Sequence, residues 1–220
     1  RFRRFQFDRH RKQLLLGRAL IRIALSSYDS SVTPASWNFT HNEYGKPSIS
    51  AEQNLASLHF NLSHSAGKVV LAVSRFKDIG VDIECARKPR RVAAIAERYF
   101  SGKEVAQLLV LPEDQQQSRF YELWTLKEAY IKACGMGLAI PLQHFSYGFV
   151  GGDRLAVEFD AQRNDVESAW QFWQLSAGPD FKMALAAKAG KAGVVQSLSG
   201  WRLLGLDKIL EQKIQVIRCK

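Results

Sequence analysis

GVDIE, residues 80–84, closes an apolar run and sets two carboxylates one residue apart. Read as an extended strand from Ile79 to Glu84, the segment sends Ile79, Val81 and Ile83 to a core. Gly80, Asp82 and Glu84 then share the opposite face. Alternate residues of a strand lie about 7 Å apart at their Cα atoms, near enough for both carboxylates to chelate one ion. Like charges so close repel each other, and a bound cation relieves the repulsion. Oxygen-only ligation suits magnesium or manganese rather than zinc. An edge strand with an ordinary solvated acidic face has the same pattern, so the pentapeptide alone leaves both readings open.

Upstream of GVDIE, residues 9–25 (RHRKQLLLGRALIRIAL) place apolar and basic residues at helical spacing. A Ser-rich connection leads to WNFTHNEYGKPSIS (37–50), whose Gly-Lys-Pro predicts a turn between extended segments. In LHFNLSHSAGKVVLAVS (58–74) a strand, a polar loop from Ser63 to Lys68 and a Val-rich strand are expected. Downstream, VAAIAERYF (92–100) reads as helix, SGKE (101–104) as a capping box opening a second, and Pro112 as its stop. The longest helical pattern covers 113–137, ended by Gly135 and Gly137. From Phe145 the chain alternates as strands, with Gly151-Gly152 at a hairpin turn.

LSHSAGKVVLAVS (62–74) finds an echo in LSAGPDFKMALAAK (175–188): apolar strand, Leu-Ser, small polar loop, lysine, second apolar strand. The offset of a little over a hundred residues is too long for a solenoid but suits duplication. The fold class expected is therefore α+β, as two similar lobes related by a pseudo-twofold. Each would be a small, mostly antiparallel sheet with a packed helix, over residues 1–93 and 94–220, with a ligand cleft between them.

At 220 residues and 46% hydrophobic the chain can bury a sizeable core, and its 31 Lys and Arg against 21 Asp and Glu favour an acidic partner. Cys85, Cys134 and Cys219 form no CxxC pair, which suits a reducing, cytoplasmic setting. No stretch approaches the roughly 18 apolar residues of a membrane helix, and the Arg-rich start lacks the apolar core of a signal peptide.

Trp124, Glu128 and Lys132 recur at i, i+4 and i+8, one stripe of the long helix, with Lys127 beside them. A third carboxylate flanked by two ammonium groups could face the Asp82–Glu84 pair and suit a magnesium ion carrying a diphosphate. The same residues also make an ordinary surface ion pair. FNLSHSAGK (60–68) offers Ser63, His64, Ser65 and Lys68 as donors to phosphate oxygens. The other histidines lack metal-ligand spacing, Gly135-x-Gly137 follows no strand, and Ser63-His64 has no nucleophile-elbow pattern.

Taken in order, YGKP (44–47), FNLSHS (60–65), GVDIE (80–84) and WTLKEAYIKACGMGL (124–138) resemble the 4'-phosphopantetheinyl transferase superfamily, in its larger, surfactin-synthetase-activating type. The resemblance implies an enzyme that moves the phosphopantetheine arm of coenzyme A onto a serine of an apo acyl or peptidyl carrier protein, releasing 3',5'-ADP. It implies magnesium, or manganese, on Asp82, Glu84 and Glu128. Lys132 would meet the pyrophosphate, Ser63 and His64 the phosphates, and Lys46 with Pro47 the adenosine end. Basic residues near the start, among them Arg4, Arg11 and Lys12, would meet the 3'-phosphate. Glu128 or a metal-bound water would take the serine proton. The nucleophile then belongs to the partner, and the acidic surface of carrier proteins matches a basic enzyme. A monomer is expected, and Val110 to Ser118 is the expected carrier-facing segment. The rivals are a nucleic-acid binder, suggested by RFRRF and ARKPRR, and a magnesium-dependent phosphodiesterase acting with water.

Overall fold

The computed structural model describes residues 8–87, 91–189, 197–204 and 208–220. Helix α1 (Asp8–Tyr28) precedes a short antiparallel pair, β1 (Phe39–His41) with β2 (Pro47–Ile49), which the YGKP turn connects. The echoed segments are both hairpins: β3 (His59–Ser65) with β4 (Lys68–Ser74), and β8 (Trp170–Ser176) with β9 (Phe181–Lys188). A helix lies on each. Helix α1 packs on the first, around Leu25, Trp37, Ile49, Leu58 and Phe60. The first hairpin turns more tightly than the sequence reading allowed. Ser63 to Ser65 belong to β3, and only Ala66 (φ 45°) and Gly67 (φ 86°) make the turn, the pair of positive φ angles that a two-residue hairpin favours.

In the C-terminal lobe, α2 (Val92–Tyr99), α3 (Gly102–Leu109) and α4 (Glu113–Cys134) precede β6 (Phe145–Val150) and β7 (Arg154–Phe159). The capping box forms on Ser101 and Glu104, and Pro112 is the N-cap of α4. Strand β5 (Ile79–Cys85), which holds GVDIE, joins β9, β8, β12 (Val216–Cys219), β7 and β6 in that order as one six-stranded sheet, with β10 (Trp201–Leu204) and β11 (Lys208–Glu211) a separate hairpin. Backbone pairing thus joins β5, which lies on the N-terminal side of the expected boundary at residue 93, to strands from the C-terminal side. The cause is sequence-distant: β5 lies in full antiparallel register with β9, Asp82 opposite Ala184 and Glu84 opposite Lys182.

Helix α4 crosses this sheet over a core that includes Phe120, Leu123, Leu126, Tyr130, Tyr147, Trp170 and Phe172. Gly80 shows how closely. A Cβ there would stand 2.1 Å from the Ala129 carbonyl oxygen and 2.4 Å from the Ala133 nitrogen, so only glycine lets α4 lie on β5. Among the described residues no helix is long and apolar enough to cross a membrane.

Candidate active site

Strand β5 is an edge strand, and its outer backbone N–H groups need partners. They find side chains rather than a strand. Val81 N–H donates to Asn61 Oδ1 (2.9 Å), Ile83 N–H to Ser63 Oγ (3.3 Å) and Cys85 N–H to Ser65 Oγ (3.1 Å). Asn61, Ser63 and Ser65 alternate along β3, so FNLSHS is a strand whose short polar side chains stand in for a ladder and join the two lobes.

The same serines turn outward to the carboxylates. Ser63 Oγ donates to Asp82 Oδ1 (2.8 Å), and Ser65 Oγ donates to Glu84 Oε2 (2.9 Å). Lys132, from α4, places its ammonium 2.5 Å from Asp82 Oδ1 and 3.0 Å from Ser63 Oγ. Asp82 is 3% exposed, yet its Oδ2 is buried without a hydrogen-bond partner. Burial first, then the charges of Asp82 and Glu84, push the Glu128 carboxyl up to about 7 against the pull of Lys132. The structure thus brings Asp82, Glu84, Glu128, Lys132 and Ser63 together at the junction of the lobes. Asp82, Glu84 and Glu128 are the carboxylates gathered there. Among the described residues no three carboxylate, imidazole or thiol groups are placed so that they could hold a metal ion as they lie, and Lys132 sits on Asp82 Oδ1.

The Glu128 environment has a measurable consequence. With divalent metal chelated, the folded protein holds this proton up to about pH 7 while the unfolded chain releases it near 4.5. Stability therefore falls as pH rises between those values, by roughly 3 kcal/mol for a shift of that size, and stays lowered above pH 7. Glu128→Gln removes the penalty. Urea unfolding at pH 5 and pH 8 is expected to show a smaller loss in the variant than in the wild type.

Other expected site residues have different partners. Ser63 is buried and committed to Asp82, Lys132 and Ile83, whereas His64 alternates to the other side of β3 and is exposed. Lys68 donates to the Ala177 carbonyl and lies 4.1 Å from the Phe181 ring centroid, which ties one hairpin turn to the other. Lys46 donates to the Ala133 (2.7 Å) and Ile79 (3.3 Å) carbonyls, at the helix end where free carbonyls attract a cation. Asn42 donates to the Gly135 carbonyl at 2.7 Å, and Gly135, at φ 75°, ends α4 where a Cβ would meet Lys46 Cδ at 2.9 Å. Pro47 opens β2 opposite His41. Arg11 and Lys12 lie in the early turns of α1, Lys12 exposed. Arg4 lies outside the described residues.

One expectation on α4, that of Lys127, is corrected. Trp124 packs into an aromatic cluster, 5.7 Å from Phe120 and 6.3 Å from Phe100 between ring centroids. Lys127 does not flank the carboxylates. It is fully buried, 2.8 Å from Glu104, and donates to the Leu142 and Phe145 carbonyls at 2.7 and 2.6 Å. One residue is about 100° of helix, enough to turn Lys127 from the site into the core. The missed signal was the buried helix face around it, Phe120, Leu123 and Tyr130 at helical spacing.

Residues 78–186 match the family model of the 4'-phosphopantetheinyl transferase superfamily, and residues 1–76 match that of the 4'-phosphopantetheinyl transferase N-terminal region. A 4'-phosphopantetheinyl transferase of Bacillus subtilis is 37% identical over 186 residues, covering 81% of this chain and 80% of the relative. The 4'-phosphopantetheinyl transferase Sfp of Bacillus subtilis (strain 168) is 35% identical over 185 residues, covering 84% and 78%. Among solved structures, the holo-[acyl-carrier-protein] synthase of Neisseria meningitidis aligns at a TM-score of 0.41 and 16% identity, over 50% of this chain and 96% of that chain. One family model ends and the other begins between β4 and β5, and the relatives extend over most of the chain: it belongs to the 4'-phosphopantetheinyl transferase superfamily, a class of enzymes.

Proposed function

We propose that this protein transfers the 4'-phosphopantetheine of coenzyme A to a serine of an apo carrier protein, with magnesium on Asp82, Glu84 and Glu128, and releases 3',5'-ADP. The observation that supports it most is the unpartnered, buried Asp82 Oδ2 beside two further carboxylates, one of them pushed up to about 7 by burial and then by the charges beside it. Buried groups of one sign and an unused oxygen are what a divalent cation satisfies. When bound, the ion neutralises charge on the diphosphate and makes its phosphorus more electrophilic.

The chain's own residues do the rest. Lys132 is held beside Asp82 by Ser63, positioned to meet diphosphate oxygens and to stabilise the charge that builds on the leaving ADP. The carrier serine Oγ forms the new bond to phosphorus as the bond to the bridging oxygen breaks, and ADP departs with that oxygen. The serine proton must go to an acceptor, and Glu128, with a carboxylate oxygen beyond the one an ion needs, is that acceptor. The exposed α3–α4 corner, where Val110 is 82% exposed, is the carrier-facing side. The two lobes of one chain complete the junction, which favours a monomer.

Intact mass spectrometry of an apo carrier protein, incubated with this protein and coenzyme A, tests the reading. A carrier mass gain of one phosphopantetheine that disappears on chelation is the expected result. Breakdown of coenzyme A without any gain on the carrier would instead indicate transfer to water.

A further inference from the structure

The second ammonium that the sequence assigned to Lys127 has a different owner. Lys182 lies on β9 directly opposite Glu84 on β5. Directly opposed residues of an antiparallel pair point to the same face, with Cβ atoms about 5 Å apart. That face is the one turned to α4, where Gly80 meets the helix and Asp82 meets Lys132. Lys182 therefore flanks the carboxylates at the Glu84 end as Lys132 does at the Asp82 end.

Its present partner can spare it. Lys182 Nζ lies 3.0 Å from Glu122 Oε1, one α4 residue that also accepts Arg119 (3.3 Å) and Arg218 (3.5 Å) at Oε2. Both guanidinium groups stack on Phe149, at 3.8 and 5.0 Å from its centroid, and Arg218 also donates to Gln174 Oε1 at 2.7 Å. Three cations thus share one carboxylate. The two arginines are fixed by aromatic and amide contacts, and the lysine is the one on a flexible four-carbon stem.

We propose that Lys182 is a further substrate-binding residue of the transfer site: it rests on Glu122 and swings to the anionic diphosphate of coenzyme A beside Glu84. This rests on the transfer reading above and adds the second cation to it. Glu122 keeps Arg119 and Arg218 when Lys182 leaves, so the swing exposes no unpaired buried carboxylate.

Calorimetric titration of coenzyme A in magnesium, beside steady-state kinetics with a carrier, tests this. Lys182→Met is expected to weaken coenzyme A binding and raise its KM about tenfold or more, the scale of one charge-assisted hydrogen bond, with Lys182→Arg restoring most of the loss. Glu122→Gln releases the lysine and should bind coenzyme A at least as tightly as wild type. A merely structural ion pair would make Lys182→Met and Glu122→Gln fail alike, and that result overturns the proposal. So does Lys182→Met with wild-type affinity in a protein that transfers normally. Lys182-dependent binding of coenzyme A without any transfer would keep Lys182 as a coenzyme A contact and overturn the transfer reading instead.

Discussion

Asp82→Ala is expected to lower the rate of carrier modification by about a hundred- to a thousandfold, the scale seen when one preorganised electrostatic contact is lost from a reacting site. Three dependencies meet on this side chain. Its Oδ1 receives both Lys132 and Ser63, and its Oδ2 is the buried oxygen without a partner. Removal therefore takes away one ligand of the proposed ion and the anchor of the lysine proposed to meet the diphosphate. The fold should survive, because the β5 ladder with β9 and the β3 side-chain bonds use backbone atoms that alanine keeps. Asp82→Asn separates charge from shape: it retains an oxygen for Ser63 but not the negative charge, and is expected to be nearly as inactive. Carrier modification at the wild-type rate by either variant, measured by mass, would remove Asp82 from the metal set.

Lys127→Met carries the largest expected loss of stability. The ammonium is completely buried, and burial pushes its pKa down while Glu104 opposes the shift. Deleting one partner of such a pair costs about 3–5 kcal/mol because the other charge is left without compensation. Glu104 would keep the Ser101 and Tyr147 N–H donors but no cation. The thermal midpoint should drop by about 10 °C, given roughly 2–4 °C per kcal/mol for a chain of this size. A second change, Glu104→Gln, is expected to recover a good part of that loss. An unaltered midpoint in the single variant would mean that the pair contributes nothing to the junction of α3, α4 and β6.

How much of this was legible in the sequence depended on whether the information was local. Alternation in GVDIE placed Asp82 and Glu84 on one face, and the helical stripe brought Glu128 and Lys132 to them, because both patterns follow from backbone periodicity. The capping box at Ser101, the αL glycine at 135 and the two echoed hairpins were equally local. What stayed hidden needed a partner from elsewhere in the chain. Nothing near Asn61, Ser63 and Ser65 says that their side chains will meet the backbone of a strand some twenty residues on, and this made Ser63 to Ser65 look like part of a loop. Nor does the C-terminal segment VIRC announce that it inserts between β8 and β7, carrying Arg218 to Glu122. The register of Lys182 opposite Glu84 is likewise a product of the assembled sheet.

The seam between β3 and β5 couples assembly to chemistry. Asn61, Ser63 and Ser65, alternate residues of β3, each accept a backbone N–H of β5, and the two serines also aim a carboxylate. A slip by one residue would present Leu62 and His64 to that edge in place of the serines, so the frame in which the lobes dock is the one that aims the serines at the carboxylates. Docking in that frame and arming of the acidic set become a single event. The two lobes expressed as separate chains, cut in the turn between β4 and β5, would therefore report their association through catalysis itself, with no added reporter.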